Sequence, residues 1–253
     1  MDTFNTPFGL VTLYRNEAYI REPFIRGSYW DIDTLTKLRE YIDPNRNILE
    51  IGGHCGTSTL IYSHMLESGK IYVYEPQRML YKLLLMNILQ NDIQHKVICN
   101  NVGVFCYEGD GIMNDTDLGG MGGNVTKRYT EESNRYCNFG GIGLGDDGEK
   151  IKLTTIDAMN LDNVGFIHCD AQGSENFIFS KGIETIKKYR PFIYYENMQS
   201  DEVHISIYEH VCKSYPQYVE ESKFDIKKFC MEELKYSRFI DNFNGGIDTL
   251  LIP

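Results

Sequence analysis

The sequence predicts one α/β domain built on a doubly wound, mostly parallel sheet. Three observations carry that prediction. Short apolar runs alternate with amphipathic stretches along most of the chain, the rhythm of strand and crossover helix. Four of those runs end in an acid, at Glu50, Glu75, Asp170 and Glu196. The first is followed by Gly52, Gly53, His54, Cys55 and Gly56 and then by Thr57, Ser58 and Thr59, the composition of a tight strand-to-helix turn. Ligands of open α/β sheets bind beyond the carboxyl ends of the strands, so the four acids should gather at one rim.

Taken in order, residues 8–21 alternate as a small β-hairpin, with Asn16 and Glu17 as the expected turn. Asp31 or Asp33 caps a helix to about Tyr41 that buries Leu35, Leu38 and Ile42. This hairpin and helix form an extension over residues 1–46. Trp30, the one tryptophan, reads either as a packing anchor or as a wall over a ligand site. The opening strand ends at Glu50, and a helix occupies 58–66. A second strand, 70–75, stops at Pro76. A helix spans 79–89, and a third strand, 96–99, leads to Asn101 and Val102.

Residues 109–148 break the rhythm and hold nearly half of the glycines. So long an insertion is expected to be a mobile cover over an acceptor pocket. Strands at 150–157, 164–170 and 191–196 follow, with helices at 171–188 and 201–212. A strand near Tyr218 and a last one at 247–252 close the sheet. No repeat or second-domain boundary appears, so residues 1–253 are expected to form one domain.

The chain has 253 residues and a formal net charge of −11, without a stripe of Lys or Arg. That argues against a nucleic-acid partner, whose phosphates need neutralising. Seven scattered cysteines without a Cys-x-x-Cys pair argue against structural zinc and a disulfide framework. The amino terminus lacks a signal-peptide pattern, and no apolar stretch approaches the ~20 residues of a membrane span. The expected setting is soluble, intracellular and cytoplasmic, with no membrane partner.

The first turn reads Glu-x-Gly-x-x-x-Gly rather than the Gly-x-Gly-x-x-Gly of dinucleotide sites. A carboxylate next to a glycine turn suits a ligand bearing hydroxyls and a positive charge, such as S-adenosylmethionine. Glu75, at the second strand tip, is placed to hold ribose hydroxyls, since a carboxylate accepts several hydrogen bonds. Asp170 and Glu196, on adjacent strand tips, are the acidic candidates for activating a hydroxyl, with His204 as a second base. A metal held by Asp170 and Glu196 is left open. His168 shares a strand face with Asp170 and is either a substrate contact or a buried structural histidine.

These motifs resemble the FkbM family of S-adenosylmethionine-dependent methyltransferases. The family's Asp-x-Gly-Ala-Asn-x-Gly matches residues 50–56, its Phe-Glu-Pro matches Tyr74, Glu75 and Pro76, and its Ile-Lys-Ile-Asp-x-Glu-Gly-x-Glu matches residues 167–175. Asn87, Asn91, the Thr155-Ile156-Asp157 element and Arg190-Pro191 add to the match, which runs from about Phe8 to Glu196. The sequence departs from the family at Glu50 (Asp), His54 (Asn), His168 (Lys) and Gln172 (Glu).

The resemblance implies a class I methyltransferase sheet of seven strands, with helices on both faces and the last strand antiparallel. It implies donor contacts from Glu50, Gly52, Gly53, His54, Gly56, Thr57, Ser58, Glu75, Pro76, Asn101, Val102 and Asp170. Acceptor contacts are expected from Trp30, His168 and Gln172. The implied activity is O-methylation of a sugar, nucleotide sugar, glycan or related small metabolite, and a homo-oligomer is left open. Two rival readings remain: a non-catalytic S-adenosylmethionine-binding module, and a nicotinamide-dependent dehydrogenase that the missing fingerprint disfavours.

Overall fold

The computed structural model describes residues 1–118, 124–130, 135–197 and 202–253. The chain opens with a hairpin, β1 (Asp2–Thr6) and β2 (Gly9–Leu13). Its turn lies between those strands rather than at Asn16 and Glu17. Gly9 takes a φ of 116°, and the Thr6 hydroxyl donates to the Gly9 carbonyl, which closes the turn early. Helices α1 (Arg21–Ile25) and α2 (Ile32–Leu38) follow. Asp31 sits at the N-cap position of α2 in a left-handed conformation, φ 49°.

The central sheet begins with β3 (Asn47–Ile51), α3 (Thr57–Ser63), β4 (Ile71–Tyr74), α4 (Arg78–Gln90) and β5 (Val97–Asn100). Then come β6 (Gly103–Val104) before the insertion, β7 (Gly109–Ile112) and α5 (Val125–Thr130) within it, and β8 (Lys150–Thr154) just after it. β6, β7 and β8 form a separate three-stranded sheet. The chain returns through β9 (Val164–Cys169), α6 (Glu175–Ser180), α7 (Ile183–Tyr189), β10 (Phe192–Tyr195) and α8 (Glu202–Ser214). It ends with β11 (Arg238–Ile240) and β12 (Thr249–Ile252).

The seven-stranded sheet has the order β11-β12-β10-β9-β3-β4-β5. β12 runs antiparallel to both neighbours, and the pairs from β10 to β5 are parallel. This is the class I methyltransferase sheet, with its late strand reversed. The expected strand near Tyr218 is a 3-10 turn, Pro216–Tyr218, because Pro216 lacks the N–H that a ladder needs. Its place in the sheet is taken by β11. The helix expected at 171–188 is two helices, α6 and α7. A Cβ at Gly182, between them, would stand 2.9 Å from the Ile156 side chain.

Alternation along the strands splits the core in two. Ile48, Val73, Phe166, Tyr194 and Leu250 face α2, α3, α4 and the hairpin. Leu49, Ile51, Ile167, Cys169, Ile193 and Leu251 face α6 and α7. A third cluster lies under the insertion and joins Phe105, Met113, Phe139, Ile142, Leu144 and Phe177.

The insertion, expected from its composition to be a cover over an acceptor pocket, lies beside the sheet's rim. Its described residues are packed and laced. Met113 bridges Leu144, Asn114 N–H donates to the Gly143 carbonyl, and Gly145 N–H donates to the Ile112 carbonyl. Residues 119–123 and 131–134 of this expectation lie outside the described residues. No helix among the described residues is long and apolar enough to cross a membrane.

Candidate functional site

From β3 the chain leaves toward β4 and β5; from β9 it leaves toward β10. The switch point of the sheet therefore lies between β3 and β9, where such sheets bind ligands. There the two strand ends are in contact. Gly52 has a φ of 85°, and a Cβ on it would stand 1.8 Å from the Asp170 carbonyl oxygen. Asp170 N–H donates to the Ile51 carbonyl at 3.0 Å. Only glycine permits both that turn and that approach.

A small cleft, about 90 Å³ in volume, opens over this point. Its floor is Gly52, His54, Glu75 and Asp170. Pro76, Gly103, Val104, Met113, Ile142, Leu144, Gln172 and Ser174 also line it. The insertion thus supplies a wall beside the switch point. A Cβ on Gly143 would stand 2.4 Å from the Gln172 carbonyl, so wall and loop are in backbone contact.

Glu75 follows the tip of β4. Its carboxylate accepts the N–H of His54 at 2.8 Å and of Gln77 at 2.7 Å. Burial nevertheless pushes its pKa up to about 8, and the charge of Asp170 adds to the rise. Asn101 donates to the carbonyls of Glu75 and Pro76 and so fixes this turn from behind. The His54 ring turns to Glu17 instead, with Nε2 4.0 Å from Glu17 Oε2. Both ring nitrogens are buried without a hydrogen-bond partner among the described residues. Burial lowers the pKa of His54 to about 4.

The second group stands at the ends of β9 and β10. Gln172, at φ 49°, donates through Nε2 to Asp170 Oδ1 at 2.8 Å and to Glu196 Oε2 at 2.9 Å. His204 Nε2 lies 3.6 Å from Glu196 Oε1. Burial holds Glu196 well above the usual carboxylate range, and the charges of Asp170, Glu175 and Asp248 reinforce this. The Glu175 carboxylate braces the loop by accepting the N–H of Ala171 and of Gly173. Among the described residues no three His, Cys, Asp or Glu side chains converge as a metal ion would require. The amide of Gln172 lies between Asp170 and Glu196, the two acids that sequence reasoning offers as ligands for one.

Several expected contacts are elsewhere. Glu50 is fully buried on the α3 face, where the hydroxyls of Ser58 and Thr59 donate to it. It shares that face with Ile48, two residues back, so strand alternation turns it away from the cleft. Ser58 goes with it. Thr57 is buried, and its carbonyl accepts from Tyr29.

Gly53 and Gly56 serve packing: a Cβ would meet Val73 at 2.1 Å and Leu84 at 2.7 Å. Trp30 packs against the first core. His168 lies under α3, with Nδ1 3.1 Å from the Tyr62 hydroxyl, and burial lowers its pKa to about 4. Val102 packs against the second core, and the next pair, Gly103 and Val104, lines the cleft instead. Sequence reasoning also missed Gln77, Ala171, Ser174 and the wall residues. For Gly103 and Ser174 the available signals were a glycine at a strand start and a serine just before a helix.

Glu50 gives a stability prediction. Its pKa is raised to about 7 by burial, against about 4.3 in an unfolded chain. A raised carboxylate contributes stability that is full below the unfolded value and is lost as pH rises through the folded one. Glu50→Gln should flatten the fall in unfolding free energy between about pH 4.3 and 7 by up to about 1.4 kcal/mol per pH unit. Denaturant titrations at several pH values test this, and equal slopes in both proteins would reject it.

No protein-family model matches the sequence, and no curated protein matches it. Among solved structures the chain is similar to the methyltransferase FkbM from Methylobacillus flagellatus KT, with 13% identity and a TM-score of 0.43. That match covers 69% of this chain and 39% of the other, so the chain spans well under half of that protein's length. It is also similar to an O-methyltransferase from Bacillus cereus (14% identity, TM-score 0.42, 87% and 79% covered). A third is the O-methyltransferase TomG from Streptomyces achromogenes (12% identity, TM-score 0.44, 96% and 91% covered). The likeness is one of fold.

Proposed function

We propose that the protein is an S-adenosylmethionine-dependent O-methyltransferase of the FkbM type, acting on a hydroxyl of a sugar, nucleotide sugar, glycan or related metabolite. The observation that carries the donor half is the cleft at the switch point with Glu75 at its floor. Hydroxyls presented there would find a carboxylate already oriented by two backbone N–H groups, with unused lone pairs. When bound, the donor supplies an electrophilic methyl group on a sulfonium.

The protein's part is to hold the acceptor in line and to take its proton. Glu196 suits the second task. It is buried, its pKa is raised, and it is held beside Asp170 by Gln172. The acceptor class rests on the family resemblance. A second reading, a donor-binding module without turnover, draws support from Gln172, whose amide already occupies both acids. Retained donor binding with no methyl transfer across a panel of sugars and nucleotide sugars would favour it.

Calorimetry with S-adenosylhomocysteine tests the donor site. Glu75→Ala should weaken binding by about 1.5–3 kcal/mol, the range for hydrogen bonds to a charged group. Ribose hydroxyls donate to the ionised carboxylate, whereas the empty site binds a proton up to about pH 8. Wild-type affinity should therefore fall as pH drops below about 8, and the variant should lose this dependence. Unchanged affinity in a folded variant would remove Glu75 from the site.

A further inference from the structure

Ser174 stands where a serine ordinarily caps a helix, immediately before α6, yet its side chain makes no capping bond. The N–H groups of the preceding loop, at Ala171 and Gly173, are taken by the Glu175 carboxylate. The Ser174 residue is 1% exposed, and its Oγ has no hydrogen-bond partner among the described residues. Buried hydroxyls are rarely left so, because an unmade bond costs the desolvation of the group.

Ser174 is among the residues that line the cleft. Ser174 and Phe177 are three residues apart and so share a face of α6. Phe177 stacks on Phe105, which directly follows Val104, with ring centroids 4.7 Å apart. Phe177 and Phe105 share one apolar cluster with Met113, Ile142 and Leu144, and the last three line the cleft together with Ser174. Apolar lining beside one unpartnered buried hydroxyl suits a flat heteroaromatic ring with a polar edge.

We propose that Ser174 is the base-reading residue of the cleft, its Oγ hydrogen-bonding an edge atom of the donor's purine. This rests on the donor reading given above. S-adenosylhomocysteine, 5′-methylthioadenosine and S-ribosylhomocysteine separate the ends of the ligand, since the last lacks the base. Competition binding to the full chain should show Ser174→Ala weakening the first two by about 3- to 10-fold and leaving the third unchanged.

Because the hydroxyl has no partner in the free protein, the melting temperature of ligand-free Ser174→Ala should equal or exceed that of wild type. Three results overturn the proposal: wild-type affinity for S-adenosylhomocysteine in the variant, an equal loss for S-ribosylhomocysteine, or a lower ligand-free melting temperature. Absence of S-adenosylhomocysteine binding in the wild type would instead sink the donor reading itself.

Discussion

Replacing Glu196 by Gln is expected to lower methyl transfer by about 10²–10⁴-fold, the usual contribution of a positioned general base, while S-adenosylhomocysteine binding stays near wild type. The side chain keeps its shape and its capacity to accept from Gln172, so the loss isolates proton transfer. Glu196 accepts a proton only when ionised, and its surroundings oppose ionisation: burial first, then three neighbouring acids. Wild-type turnover should therefore rise with pH and level off once the carboxylate is ionised. The variant should lack that limb. Asp170, exposed and bonded to the same amide, is the second acid to substitute. The measurement is radiolabelled methyl transfer to the acceptor found in the sugar and nucleotide-sugar panel, with donor binding followed separately. Near wild-type turnover would dismiss Glu196 and leave His204, 3.6 Å away, as the base to test.

That pairing shows what the sequence could and could not reveal. The acids at the strand tips were legible because a parallel sheet brings strand ends to one rim, and period-2 patterns locate the ends. Which acid faces the cleft was less legible. Glu50 and Glu75 look equivalent as text. One lies inside its strand and turns to the α3 face, and the other lies just past its strand and enters the turn.

A one-residue change in where a strand stops decides between them, and strand boundaries are the weakest part of a sequence reading. Gln172 stands out in the sequence only as a departure from the family. Its bridge between Asp170 and Glu196 depends on a positive φ that nothing in its side chain announces. The wall at residues 140–144 was missed for a related reason. Glycine-rich composition does not say which glycines let backbones meet; Gly143 and Gly145 allow approach to Gln172 and Asn114.

The glycine turn offers the sharpest structural test. Gly52→Ala should cost more than about 3 kcal/mol of folding stability, at the upper end of single-substitution effects. Two terms add. The left-handed φ of 85° strains any L-residue by roughly 1–2 kcal/mol. The new Cβ would also lie 1.8 Å from the Asp170 carbonyl oxygen, which is backbone and cannot rotate aside. β3 and β9 must then separate where the sheet pairs them, Ile51 with Cys169.

Gly27 isolates the first term. Its φ is 75°, and nothing lies within 4 Å of the point where an alanine methyl would stand, so Gly27→Ala should cost only the conformational strain. At about 2–4 °C per kcal/mol for a chain of this size, the melting temperature should fall by a few degrees in Gly27→Ala and by at least roughly 6–12 °C in Gly52→Ala. Surviving Gly52→Ala protein should also lose affinity for S-adenosylhomocysteine, because the displaced strand end carries the cleft floor. Equal, small shifts in the two variants would mean that β3 and β9 do not meet as closely as described, and the cleft could not be built on their junction.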